Sequence, residues 1–207
     1  MADPADPAAD RPVVLVGLMG AGKTSVATRL ARALGRPVRD NDEDLQRRYG
    51  GTAAEQYEQH GAGVLHAREA AALRDALAQL PPPVIAAAAS VVEDPACRAA
   101  LTGAFVVWLD ARPEVLAGRL AGDPAPDVGD GADGDHRPQY HPDPYTVLAA
   151  QHRRRAEQFR EVADLVIDVS DTTADQAAET VLAALPGRTG PTGPTGLRPI
   201  DRSGPPP

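Results

Sequence analysis

Apolar residues along the chain alternate between short continuous runs and runs spaced three or four apart, so strand and helix patterns take turns. Val13 to Gly17 (VVLVG) is a β-branched run of the kind buried in a parallel strand. Val26, Leu30 and Leu34 then recur every fourth residue, predicting a helix from about Gly22 to Leu34 with Gly35 as its stop. A short second strand fits Pro37 to Asp40. Thr52 and Glu55 make a capping box, and Ala70, Leu73, Leu77 and Leu80 mark an amphipathic helix that Pro81 to Pro83 ends, with Leu65 extending its apolar face backwards. Val84 to Ala88 is a third strand, weakened by alanine. Asp94-Pro95 reads as an N-cap with proline at the first helical position. Phe105 to Asp110 (FVVWLD) is the clearest strand, and Pro113 opens the helix after it. A helix from Tyr145 to Val162, a strand from Asp164 to Val169 and a helix from Thr173 to Leu185 complete the pattern.

Strands alternating with helices in this way describe a three-layer α/β domain with a five-stranded parallel sheet and a ligand at the carboxyl ends of its strands. The domain is expected over residues 12–186. Within it, about 122–144 is rich in Gly, Pro, Asp and His with scarcely an aliphatic residue, as a mobile lid would be. Residues 1–11 and 187–207 hold almost nothing to bury and are expected as disordered tails, the second Pro/Gly-rich. The GPTGPTG stretch from Gly190 to Gly196 is too short for a collagen helix and reads as a flexible linker.

The 207 residues carry a net charge of −8, which argues against a protein whose main task is gripping nucleic-acid phosphates. Cys97 is the only cysteine, so there is neither an internal disulfide nor a Cys/His set for zinc. The N-terminal MADPADPAAD resembles no export signal, and no apolar run approaches the roughly 20 residues that span a bilayer. A soluble, cytoplasmic protein with no membrane or nucleic-acid partner is expected, and without a long apolar stripe a monomer is the default. Nearly all the positive charge is arginine. The one lysine, Lys23, stands against 20 arginines.

That lysine lies in Gly17-Leu18-Met19-Gly20-Ala21-Gly22-Lys23-Thr24, a complete G-x-x-x-x-G-K-[ST] motif placed after a strand and before a helix. Glycines let backbone N–H groups wrap a polyphosphate, the helix N-terminus adds partial positive charge, and lysine reaches the β- and γ-phosphates. ATP contacts are therefore expected at Gly17, Gly20, Ala21, Gly22, Lys23, Thr24 and Ser25, with the Thr24 hydroxyl on Mg²⁺. The motif implies a P-loop NTPase fold. A GTPase would need a second lysine for N-K-x-D, and a motor ATPase an apolar strand ending in Asp-Glu; Asp110 is followed by Ala111, and reads as a helix cap.

Asp40-Asn41-Asp42 closes the second strand. Both acids of an extended i, i+2 pair can face one cleft, one serving the Mg²⁺ shell and the other accepting the proton of an attacking hydroxyl, or the three residues can form a solvated acidic turn.

The loop GLMGAGKT, this D-x-D, the VVWLD strand, Arg119-Leu120 before the expected lid, Arg137-Pro138 within it, and Arg155 ahead of Phe159-Arg160-Glu161-Val162-Ala163-Asp164 together resemble a shikimate kinase. The resemblance spans about residues 12–185 and implies the nucleoside-monophosphate-kinase-like fold. It implies an ATP- and Mg²⁺-dependent phosphotransferase of aromatic amino acid biosynthesis, with an alcohol group as acceptor and shikimate or a related hydroxy acid as substrate. By it, Asp40 supports the metal with Thr24, and Asp42 contacts the acceptor hydroxyl as base. Arg119 lies near the adenine, Arg137 touches the phosphates from the lid, and Arg155 binds the acceptor's carboxylate. Lys23, Asp42 and Arg137 are the catalytic set.

The departures fall in the acceptor pocket. The family's G-E-x-x-F-R-x-x-E supplies a carboxylate-binding arginine, whereas Gly61 to Glu69 here places His66 in that position, a shorter group without a bidentate fork. Taken alone, His66 reads as an ordinary helix-surface histidine, and Arg155, in a run of three arginines, as part of a solvated face. The family's G-G-G corresponds to Ala88-Ala89-Ser90, whose side chains fill space and disfavour left-handed backbone. Acceptor contacts are expected at Asp42, His66, Ala88, Ala89 and Arg155, in a smaller or reshaped pocket. Negative charge around Gly129 to Asp135 would slow or alter lid closure. A different-class reading, a nucleotide-binding paralogue with another acceptor or a non-catalytic regulatory role, follows from the same departures.

Overall fold

A computed structural model describes residues 11–122 and 143–186. The tails up to residue 10 and from 187, and the expected lid over 123–142 with Arg137, lie outside the described residues.

The strands are β1 (Val13–Val16), β2 (Val38–Asp40), β3 (Val84–Ala86), β4 (Phe105–Asp110) and β5 (Leu165–Asp168). They form one parallel sheet in the order β2-β3-β1-β4-β5. The helices are α1 (Lys23–Leu34), α2 (Asn41–Tyr49), α3 (Ala53–Leu77), α4 (Pro95–Leu101), α5 (Pro113–Ala121), α6 (Pro144–Val162) and α7 (Ala174–Ala184), with a 3-10 turn at Ala89–Glu93. The step from β1 to β2 runs one way across the sheet and the later steps run the other. Right-handed crossovers then place α1 on one face and α3, α4 and α6 on the opposite face. The contacts agree: α1 packs on α7, while α3 packs on α4 and both α3 and α6 pack on the 3-10 turn. All strands therefore end at one edge, and the loops after β1, β2 and β3 meet there.

Local chemistry explains most element ends. Gly35 closes α1 in a left-handed conformation (φ 63°), and Thr52 with Glu55 forms the expected capping box. Asp94 caps α4, with its carboxylate accepting from the Ala96 N–H at 2.7 Å.

Four expectations are corrected. The Asp40–Asp42 stretch is not an extended pair: Asp40 ends β2, its Oδ1 accepts from the Asp42 N–H at 2.9 Å, and α2 begins at once. Three acids in the first turn of α2 suit the positive end of its dipole. Leu80 lies outside α3 and is 85% exposed, because the residue before Pro81 is disfavoured from helical geometry. β3 stops at Ala86 rather than Ala88, giving way to the 3-10 turn. Asp110 does not cap α5, whose N-cap is Arg112; its Oδ1 pairs instead with His152 Nε2 at 2.9 Å.

The core joins both sides of the sheet. β1 and β4 are apolar and almost wholly buried, as strands covered on both faces must be. Trp108 of β4 stacks on Phe159 of α6, ring centroids 5.5 Å apart and planes 23° from parallel. Phe159 is fully buried, so this stack sets the rotation of α6. Among the described residues no helix is long and apolar enough to cross a membrane. Phe159→Ala is expected to cost about 3–5 kcal/mol of stability, as deletion of a buried aromatic ring does. Urea unfolding measures this, and a loss below about 1 kcal/mol would contradict the role given to the stack.

Candidate active site

The loop after β1 turns back over β4 and α5, and its glycines are required by geometry. A Cβ on Gly17 would lie 2.4 Å from the Leu109 carbonyl oxygen, and Gly20, at φ 81°, would bring one to 3.2 Å from that of Leu116. This close approach leaves the loop's backbone to wrap a ligand at the N-terminus of α1. Lys23 Nζ donates to the Leu18 carbonyl at 3.0 Å. Burial lowers its pKa from the ordinary lysine value, while Asp42 and Asp40 oppose the shift. The ammonium is thus held inside the loop, with the charges of Asp42 and Asp40 acting on it.

Thr24 Oγ1 donates to Asp40 Oδ2 at 2.6 Å, which joins the phosphate loop to the end of β2. A hydroxyl and a carboxylate so placed offer the oxygen ligands that Mg²⁺ takes when most of its shell is water and phosphate. Asp40 is buried, and Asp42, two residues on in the first turn of α2, is exposed. The fold thus separates the two acids by burial.

Arg119, at the end of α5, reaches back to the loop. Its Nη1 donates to the Gly20 carbonyl at 3.2 Å, and its Nη2 donates to the carbonyls of Val169 (2.6 Å) and Ser170 (3.3 Å). Its Nε is buried and has no hydrogen-bond partner among the described residues, a donor suited to a ligand beside Gly20. Burial lowers its pKa.

Across the cleft, α6 presents Arg153-Arg154-Arg155, and only Arg155 turns inward, at 5% exposure. It lies four residues before Phe159, hence on the same helix face. Arg155 is therefore no part of a solvated face. Its Nε donates to Glu93 Oε1 at 2.9 Å and its Nη1 to Gln151 Oε1 at 3.3 Å. His66, on α3, is no ordinary surface histidine either. It is half-buried, burial lowers its pKa, and the charges of Glu93, Arg155 and Arg154 act on it. Arg68 points elsewhere, stacking over the Tyr49 ring at 4.5 Å and bonding to Gln56.

Ala88 and Ala89 border this region with ordinary backbone. Ala88 has φ −61° and ψ 147°, and Ala89 opens the 3-10 turn, so their side chains stand without strain where glycine would be needed for left-handed geometry. Ser90 Oγ, in turn, donates to Glu69.

Two acids enter that the sequence reading assigned no role. Glu69 ends the segment in which His66 lies, but its burial could not be read from the helix. Glu93 follows the expected third strand and carried no signal at all. Glu69 is buried, and its carboxyl is pushed up to about 7: burial raises it, the Ser90 hydrogen bond lowers it and Asp42 raises it again. Lys23, Asp42, Glu69 and Arg155 thus share one electrostatic neighbourhood. Among the described residues no group of three or more His, Cys, Asp and Glu is placed to hold a metal ion.

A family model described as shikimate kinase matches residues 19–186. A shikimate kinase from Frankia casuarinae is 36% identical over 173 residues, 84% of this chain and 72% of that protein. One from Thermobifida fusca is 32% identical over 173 residues, 84% and 94% of the two chains. Among solved structures, a shikimate kinase from Acinetobacter baumannii in complex with shikimate superposes with a TM-score of 0.73 at 27% identity, covering 84% of this chain and 92% of that one. A gluconokinase from Sinorhizobium meliloti shares the fold at a TM-score of 0.55 and 20% identity.

Glu69 titrates with stability. Its folded-state pKa lies above the ordinary 4.5, so its contribution is complete below about 4.5 and is lost as pH rises through about 7. Between those limits the wild type is expected to lose up to about 3 kcal/mol relative to Glu69→Gln. Urea unfolding of both proteins at a series of pH values checks this; a pH-independent difference would contradict it.

Proposed function

The chain belongs to the shikimate kinase family, and on that premise we propose that it transfers the γ-phosphoryl group of ATP to a hydroxyl of shikimate or a related hydroxy acid. The observation that carries the proposal is the joining of the phosphate loop to the acceptor side. Thr24 bonds to Asp40, Asp40 caps the helix that carries Asp42, and the charges of both carboxylates and of Arg155 act on Lys23.

In this reading the loop's backbone N–H groups from Gly17 to Thr24, with Ser25 behind them, bind the ATP phosphates. Lys23 neutralises the charge that spreads over the transferring group. Thr24 and Asp40 would hold Mg²⁺, which when bound would supply positive charge to the phosphates of ATP. Arg119, anchored on Gly20, borders the nucleotide, and Arg137, outside the described residues, is the further phosphate contact that the family resemblance implies. Asp42 is exposed to the cleft, where it orients the acceptor hydroxyl and takes its proton as the new P–O bond forms. Arg155 receives the acceptor's carboxylate, while His66, Ala88 and Ala89 shape its pocket. Positioning and charge stabilisation account for the rate, with no covalent enzyme intermediate. A cytoplasmic monomer completes the proposal, its mass in solution checking the second term.

The test is ADP release with Mg²⁺, ATP and millimolar shikimate. Lys23→Ala is expected to abolish the signal, and Asp42→Asn to lower kcat by about 10²–10⁴-fold with ATP binding retained. Full activity of Asp42→Asn would remove its role as base. ATP binding with no turnover of shikimate or other hydroxy compounds would instead favour the non-catalytic nucleotide-binding role.

A further inference from the structure

Arg155 carries a guanidinium charge and its side chain is only 6% exposed, so it needs an anion. The chain supplies one. Glu93 Oε1 accepts from Arg155 Nε at 2.9 Å and from Arg154 Nε at 2.7 Å. Arg154 is 60% exposed and its share of the bridge is weak, so the buried contact with Arg155 dominates. Among the described residues this is the only ion pair that Arg155 makes; its other bond goes to the neutral Gln151 amide. Burial opposes the Glu93 charge, but the bonds and charges of Arg155 and Arg154 reverse this and hold the carboxyl below its usual value. It therefore remains anionic.

We propose that Glu93 is a specificity-determining residue: its carboxylate occupies the Arg155 guanidinium from within the chain, so that an acceptor carboxylate binds there only by displacing it. The inference rests on the acceptor-pocket reading of Arg155 given above. Displacement is feasible because the two partners differ in access to water. Glu93 is 27% exposed and its head can swing into solvent, whereas Arg155 cannot leave. At the position of His66 an imidazole stands in place of a second guanidinium, and burial disfavours its charged form. Nearby, Asp42 adds negative charge and Lys23 positive charge. An anionic acceptor thus meets a guanidinium whose charge Glu93 already balances, while a neutral polyhydroxylated acceptor loses nothing by it.

The experiment compares wild type with Glu93→Gln and with Glu93→Thr, two variants so that one failure to fold is not decisive. Each is checked by thermal melting. Shikimate and its neutral methyl ester are titrated calorimetrically without ATP, and KM and kcat are measured for both with ATP. The expected result is shikimate affinity about tenfold or more tighter in the variants, the size of one charge-assisted contact, with the ester changing less than twofold. The change should fall on KM rather than kcat. Shikimate affinity unchanged or weakened would overturn the proposal, since Glu93 would then only orient Arg155. An equal gain for the ester would overturn it too. The tenfold gain in binding without turnover in any protein would uphold the proposal and refute phosphoryl transfer to shikimate. Absence of shikimate binding to all the proteins would refute both.

Discussion

A guanidinium withdrawn from water must be given an anion, because burying a lone charge costs several kcal/mol. Arg155 is that group here, and much of the acceptor side follows from it. The Trp108–Phe159 stack fixes the rotation of α6, and that rotation turns one of three consecutive arginines inward. The inward arginine draws Glu93, at the end of the 3-10 turn, into a shared bond with Arg154. The same turn carries Ser90, whose hydroxyl meets the buried Glu69 of α3, and α3 in turn carries His66. Core packing and pocket charge are therefore one structure.

The nucleotide side is held by close approach rather than by charge balance. Gly17 lies where any side chain would strike the backbone of β4, and Arg119 clamps Gly20 to the loop after β5. Such contacts resist change because backbone cannot step aside. The acceptor side is held by ion pairs and short side chains, which can be exchanged. This difference matches the pattern of residues: the phosphate-binding motif is complete, and the acceptor-side departures lie among His66, Ala88, Ala89 and Ser90. Asp42 stands between the halves, on a helix tied to the phosphate loop through Asp40 and Thr24.

Apolar periodicity and end signals made most of the architecture legible. Four-residue spacing marked α1, the β-branched and aromatic runs marked β1 and β4, and Gly35, Thr52 and Asp94 stopped or started helices by local rules that need no partner. The phosphate loop was equally legible, since its function lies in contiguous backbone. What was missed depended on competition. Asp40 to Asp42 could continue an extended chain or cap a helix, and the bond from the Asp42 N–H decided for the helix. Asp110 could cap α5, but His152, far away in sequence, took its carboxylate.

The sequence by itself determined the alternating parallel fold, the phosphate loop with its single lysine, and which residues could carry the chemistry, because these reside in short segments with strong local preferences. The resemblance pointed to Arg155 and His66, but only the tertiary structure decided that Arg155 is buried against Glu93 and that Glu69 is buried against Ser90. Burial and charge pairing belong to surfaces brought together from distant segments, and no local pattern contains them.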